Sequence, residues 1–431
     1  MHVGWATTFK PPPDRPRPSF EQLRDHIEGR LSLDPRFRQK LARVPLGLNA
    51  PVWIDDEGFE VGRHVVGANS STLTEVIDDC MSSQLERGRP LWQFCVADRL
   101  DDGRIGVVGK AHHCMVDGIA AVQLAALLLD PTPDPQRFDT GDWRPDPTPG
   151  GLRRLARGVL DQAVGDAGLL RLPLRAARSP VKALRVANQG LRMARATADL
   201  LRPARPVELL NAPISPLRHL ARAQRPLDDL KLIKESFGTT VNDVILAVSA
   251  SGMRRLFQEQ GQQPMPLKTM VPVNVRKPSE NGQDGNRISF MFVDLPCDEP
   301  DPVRRLQSVH AQTSDRKGHG GPQGMERALN AVGYLPQPVR DAVSHVFASP
   351  LVFNLTVSNI PGPAEPMYML GCELEEAYPV VPIPDGHALS IGVTTIRDRA
   401  CFGLYADREL LDADLLAGTI DEAVDELVHL S

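Results

Sequence analysis

The stretch from Ile105 to Leu129 (IGVVGKAHHCMVDGIAAVQLAALLL) constrains the fold more than any other part of the chain. Ile105 to Ala111 is apolar and β-branched enough for a buried strand, and Ile119 to Leu129 reads as a buried helix. Asp117-Gly118 supplies turn chemistry between them. The residues in between, His112-His113-Cys114-Met115-Val116, therefore sit in a strand-to-helix turn, where a side chain can be presented to a cleft. An imidazole with a carboxylate four residues on and a glycine directly after it makes a compact site for deprotonating an alcohol or an amine.

Blander readings compete with this one. A single histidine is more often a satisfied core residue than a catalyst. Adjacent histidines are not a metal pair, because neighbours on a strand point to opposite faces and on a helix do not share one. Neither HExxH nor paired CxxC spacing occurs, so no metal site is expected. The seven-residue pattern in its strand–turn–helix setting is what favours catalysis.

Composition fits an enzyme. The 431 residues leave room for two ordinary domains, and 42% hydrophobic content can build real cores. A net charge of −5 gives no global pull toward nucleic acid or anionic lipid. Six scattered cysteines without paired spacing read as reduced and cytosolic, with Cys114 a small buried filler. The start, Met1-His2-Val3-Gly4, lacks the charged and apolar regions of a signal peptide, and no stretch reaches the roughly 18 apolar residues of a membrane span. The expectation is a cytoplasmic protein that meets a membrane or a lipid inclusion only from the side.

The chain divides into residues 1–130 with the histidine motif, a linker over 131–210, and a mixed domain over 211–431. The linker opens with the proline-dense Pro131 to Gly150. Residues 151–206 then carry twelve Arg or Lys against three Asp, and no aromatic residue. Leu152, Leu155, Val159 and Leu160 recur at helical spacing with arginines between, and Pro173 and Pro180 divide the segment into at least two helices. Two readings stay open: a helix lying on a lipid surface, or a solvated helix that straps two domains together.

Five further motifs accompany HHxxxDG in order: Pro90-Leu91-Trp92, Asn211-Ala212-Pro213-Ile214-Ser215, Thr240-Val241-Asn242-Asp243-Val244, Val271-Pro272-Val273-Asn274-Val275-Arg276 with Gly285-Asn286, and Val357-Ser358-Asn359-Ile360-Pro361-Gly362-Pro363. Together they resemble the bacterial wax ester synthase/diacylglycerol acyltransferase family, within the CoA-dependent acyltransferase superfamily. The resemblance covers nearly the whole chain. It implies an α/β fold of two chloramphenicol-acetyltransferase-like sandwich domains with mixed sheets, joined by a helical linker, with the active site at their interface. It also implies transfer of a long acyl group from acyl-CoA, a substrate, to diacylglycerol or a fatty alcohol, with no bound cofactor.

In that family the second histidine is the general base, which here is His113. It would take the hydroxyl proton as the oxygen attacks the thioester, then protonate the departing CoA thiolate, with no covalent acyl-enzyme required. Asp117 would turn inward and pair with an arginine, for which Arg276 is the candidate. Gly118 leaves the turn uncrowded, and His112 serves structure or fine tuning. For the oxyanion, Asn242 is the first choice, because its amide can donate. Against that, Thr240 to Asp243 fits a capping box, which claims Asp243 for the helix start. Ser358, on an expected strand from Phe353 to Ser358, is the second oxyanion candidate. Trp92 reads as architecture, leading a half-buried strand.

Two alternatives remain. One is a condensation-type enzyme with a carrier-bound donor or an amine acceptor. The other is an inactive paralogue that binds acyl-CoA or lipid inclusions; family members usually carry a further segment before the Met-His-Val-Gly strand, and its loss would favour this idea. Arg218-His219 also stands where paired arginines are commoner.

Overall fold

The computed structural model describes residues 1–31, 33–43, 51–115, 127–136, 138, 143–147, 198–274, 288–318, 321–333, 335 and 337–431. Two six-stranded mixed sheets carry the molecule. In the first half these are β1 (His2–Lys10), β4 (Val65–Gly67), β5 (Trp92–Ala97) and β6 (Ile105–His112), with a separate hairpin of β2 (Gln39–Ala42) and β3 (Val52–Asp55). Helices α1 (Phe20–Leu31) and α2 (Leu73–Ser82) pack on opposite faces of the first sheet.

The second sheet holds β7 (Arg218–Pro226), β8 (Leu267–Asn274), β9 (Ile288–Leu295), β10 (Leu355–Pro361), β13 (Leu389–Ile396) and β14 (Arg399–Asp407). Helices α3 (Leu227–Ser236), α4 (Val241–Glu259), α5 (Pro302–Gly318) and α8 (Ala413–His429) accompany it. Beyond them, α6 (Gly321–Val332) and α7 (Gln337–Phe347) precede β10.

Two strands of the second half, β11 (Tyr368–Met369) and β12 (Cys372–Val380), leave this order. The first sheet runs β11-β12-β1-β6-β5-β4, so late residues complete the sheet begun by the first ones. β12 lies antiparallel to β1, with Gly4 opposite Val380. A division of the sequence at 130 and 211 therefore does not coincide with the sheets.

β12 also packs across β13 and β14 of the second sheet. A Cβ on Gly403 would collide with the Pro379 carbonyl, and one on Gly392 would sit 2.8 Å from Val381 Cγ2. The absence of side chains at these two positions is what lets the sheets approach. Three cores result. One lies under the second sheet around the fully buried run Val244 to Val248 of α4. One lies between α1 and the first sheet. The third joins the sheets through Val108, Leu220, Tyr378, Cys401 and Tyr405. Each large apolar side chain so buried contributes about 1.5–3 kcal/mol before entropy is counted.

The local expectations compare closely. The strand expected over Ile105 to Ala111 spans Ile105–His112. That expected over Phe353 to Ser358 spans Leu355–Pro361. Trp92 opens a strand, buried rather than half-buried, and its indole Nε1 donates to the Phe37 carbonyl at 2.7 Å. Residues 119–126 of the expected helix, and 151–197 of the basic linker, lie outside the described residues.

Candidate active site

Strand β6 lies between β1 and β5, and its register sets which histidine faces what. His2 of β1 stands opposite His112. Side chains alternate along the strand. Val107 and Ala111 enter the core under α1, whereas Val108 enters the core between the sheets. His112 has the parity of Val108, and it lines a cleft of about 230 Å³ between the two halves. Met81, Gln84 and Arg87 form the first-half wall of that cleft, and Ile214, Arg218 and Tyr405 the opposite one.

Arg218 is fixed by a salt bridge to the fully buried Asp407 at 3.3 Å. Burial, followed by neighbouring positive charge including Arg87, pushes the pKa of His112 down to about 4. The ring is therefore neutral at physiological pH. The Cys114 backbone N–H donates to its Nδ1 at 3.2 Å, so Nδ1 carries the lone pair and the ring proton sits on Nε2.

His113 follows immediately in the turn. It is exposed, and its backbone N–H donates to the Met1 carbonyl at 3.1 Å, tying the turn to β1. Cys114 is exposed as well, with Sγ 3.0 Å from His112 Nδ1. This corrects the reading of Cys114 as a buried filler: the strand ends at His112, and the turn lifts the thiol out. Asp117, Gly118 and Arg276 lie outside the described residues.

The capping box at the start of α4 is present in full. The Thr240 backbone N–H donates to Asp243 Oδ2 at 3.0 Å, and the Asp243 N–H to Thr240 Oγ1 at 3.3 Å. Asp243 does more than cap. Thr313 Oγ1 donates to its Oδ1 at 2.6 Å, and His310 Nδ1 lies 2.8 Å from its Oδ2, both from α5. Burial alone would raise the Asp243 pKa, but the bonds from His310, Thr313 and Thr240 outweigh it and leave the pKa lowered. Asn242, half-buried beside it, occupies the second position of α4.

Ser358 is 6% exposed on β10, in parallel register with Gly392 of β13. Leu355 and Val357 point into the core under the second sheet, so Ser358 shares the opposite face with Gly392, which meets β12. His112 and Ser358 thus both lie on the faces that the two sheets turn toward each other. Sequence reasoning missed His310, Thr313 and the Arg218–Asp407 pair. Their only signal was the presence of polar residues far along the chain from the groups they hold.

A second, larger cleft of about 740 Å³ is lined by Glu75, Asp78, Asp79, Glu409, Asp412 and Asp414 around His219. Its carboxylates repel a polyanion such as coenzyme A. The smaller cleft carries Arg87, Arg218 and Asp385 beside the motif histidine. No helix among the described residues is long and apolar enough to cross a membrane.

Comparison with known proteins agrees with the motifs. The family model of the wax ester synthase/diacylglycerol acyltransferase catalytic domain matches residues 1–245, and that of the WS/DGAT C-terminal domain matches 284–428. A Mycobacterium tuberculosis protein named probable diacylglycerol O-acyltransferase tgs1 is 33% identical, over 100% of this chain and 92% of its own length. A second from that organism, tgs2, is 30% identical over 95% of this chain and 90% of its own. Among solved structures, the wax ester synthase/diacylglycerol acyltransferase from Marinobacter aquaeolei VT8 superposes with a TM-score of 0.68 at 24% identity, covering 99% of this chain and 94% of that one. The first condensation domain of the CDA synthetase shares the fold at a TM-score of 0.57 and 13% identity, over 100% of this chain and 90% of that one. By both family models and these full-length relatives, the chain belongs to the wax ester synthase/diacylglycerol acyltransferase family.

Proposed function

We propose that the protein transfers a long-chain acyl group from acyl-CoA to the hydroxyl of diacylglycerol or of a fatty alcohol, giving triacylglycerol or wax ester. The observation that carries this reading is His112 at the end of β6, lining a cleft between the two sheets that Arg87 and Arg218 wall, with His113 directly after it in the turn. His113 takes the hydroxyl proton as the oxygen attacks the thioester carbonyl, and returns it to the CoA thiolate when the intermediate collapses. His112, held neutral, shapes the turn and offers its Nε2–H to the cleft. Asp117, with Arg276 as its partner, holds the turn. Ser358 or Asn242 donates to the oxyanion. Arg87 and Arg218 suit the phosphates of coenzyme A, and no resident cofactor enters the scheme.

The acceptor comes from a lipid surface. On α7, Val339, Val343 and Val346 are 45%, 36% and 66% exposed at helical spacing, with Leu335 and Leu351 exposed nearby. This apolar stripe supports peripheral contact with a membrane or a lipid inclusion.

The test is CoA release from palmitoyl-CoA with diacylglycerol or hexadecanol, beside a His113→Ala variant. Acceptor-dependent release that collapses in the variant is expected, and the better acceptor identifies the product. Equal, slow release by both proteins would overturn the assignment.

A further inference from the structure

Of the six cysteines, Cys80, Cys95, Cys297, Cys372 and Cys401 are buried, and Cys114 alone is exposed. It is also paired with a base. Its Sγ lies 3.0 Å from His112 Nδ1, and its own backbone N–H fixes that nitrogen as the lone-pair end of the ring. His112 in turn lines the cleft assigned above to acyl-CoA. Nucleophile and acceptor nitrogen are thus in contact, and the ring that carries the nitrogen lines the cleft.

We propose that Cys114 is an acyl acceptor, whose thiol exchanges with the thioester of a long-chain acyl-CoA to leave an S-acyl cysteine inside the histidine motif. The proposal rests on the acyl-CoA reading of the cleft. As Sγ bonds to the thioester carbonyl carbon, its proton passes to His112 Nδ1. The tetrahedral intermediate then collapses, breaking the bond from carbon to the CoA sulfur. The CoA thiolate recovers the proton from His112, so the products are acyl-Cys114, free CoA thiol and a neutral imidazole. One thioester replaces another, so the exchange is close to thermoneutral and needs no oxidant or reductant.

The environment explains why the base matters. Although the residue is exposed, partial desolvation of its thiol raises the pKa of Cys114, so the sulfur stays protonated near neutrality and is a poor nucleophile by itself. His112, neutral down to about pH 4, is available throughout that range. The other charged or titratable groups around it are the Met1 amino group, His2, Arg87, Arg218 and Asp385 on the cleft walls, and His113 in the turn.

The experiment incubates the full chain with palmitoyl-CoA and no alcohol, then reads intact mass and peptide maps over time. One hydroxylamine-sensitive palmitoyl group on the Cys114 peptide is expected, matched by one CoA released, absent in Cys114→Ser and slowed roughly a hundredfold in His112→Ala. Wild type alone supplies a second readout. Base-assisted acylation changes little between pH 6 and 8, whereas an unassisted thiolate reaction rises about tenfold per pH unit. Transfer to hexadecanol with no adduct on Cys114, acylation no faster than in denatured protein, or a full thiolate pH slope would each overturn the proposal. An adduct without transfer to any alcohol would instead sink the transferase reading and leave this one standing.

Discussion

His219 Nδ1 lies 2.8 Å from Asp78 Oδ2 on α2, while its Nε2 lies 3.1 Å from Asp414 Oδ2 at the start of α8. Both ring nitrogens face carboxylates, an arrangement that favours the doubly protonated imidazolium as a bridge between the two halves. The hydrogen bond that His219 donates to Asp78 leads the causes that raise its pKa, with burial opposing. A raised folded pKa gives stability that is fully present below the ordinary value near 6.5 and is lost as pH rises through the folded value. The Asp414 side chain is 76% exposed, so screening holds the whole effect to about 1 kcal/mol. The urea midpoint should fall from pH 6 to 9 in wild type and stay flatter in His219→Arg. An unchanged slope in that variant would rule out the bridge as its origin.

Asp243 depends on α5. Removing the His310 imidazole leaves one oxygen of a fully buried carboxylate with only the Thr240 amide. His310→Ala should cost about 1–3 kcal/mol and His310→Gln, which can still donate, clearly less. Urea titration of the two variants checks this ranking; equal losses would show that packing rather than the hydrogen bond matters.

What could be seen in the sequence was local. Alternation and β-branching marked β6, and the spacing of Thr240 and Asp243 marked a cap, because each signal is complete within a few residues. The seat of β12 was not legible. The string CELEEAYPV reads as a strand, yet nothing in it names β1, at the other end of the chain, as its neighbour. The same distance hid His310, 67 residues from the carboxylate it holds. Motif resemblance identified His112 and His113, but only the register of β6 shows that His112 takes the cleft-facing parity and that the turn exposes Cys114.

The β12 crossing should be intolerant of side chains. A methyl on Gly403 meets the backbone carbonyl of Pro379, which cannot swing away as a side chain would. Gly403→Ala should destabilise by about 1–3 kcal/mol. Gly418→Ala, on the open side of α8, where nothing lies within 4 Å of the added Cβ, should be neutral or slightly stabilising. Thermal unfolding of the pair decides: comparable midpoints would mean that the sheets part more easily than this packing implies.

The two oxyanion candidates separate by position. Asn242 adjoins the residue that ties α4 to α5, whereas Ser358 lies on the same inter-sheet face that His112 addresses from the other side. A donor aimed at the developing negative charge acts on the transition state rather than on bound substrate. Ser358→Ala should therefore lower kcat roughly a hundredfold with KM for palmitoyl-CoA unchanged, and Ser358→Thr should retain most of the activity. Asn242→Ala should shift stability more than kcat. Steady-state CoA release with hexadecanol tests all three. If Ser358→Ala stays within a few fold of wild type while Asn242→Ala loses kcat at constant KM, the donor is the amide at the start of α4 and not the hydroxyl of β10.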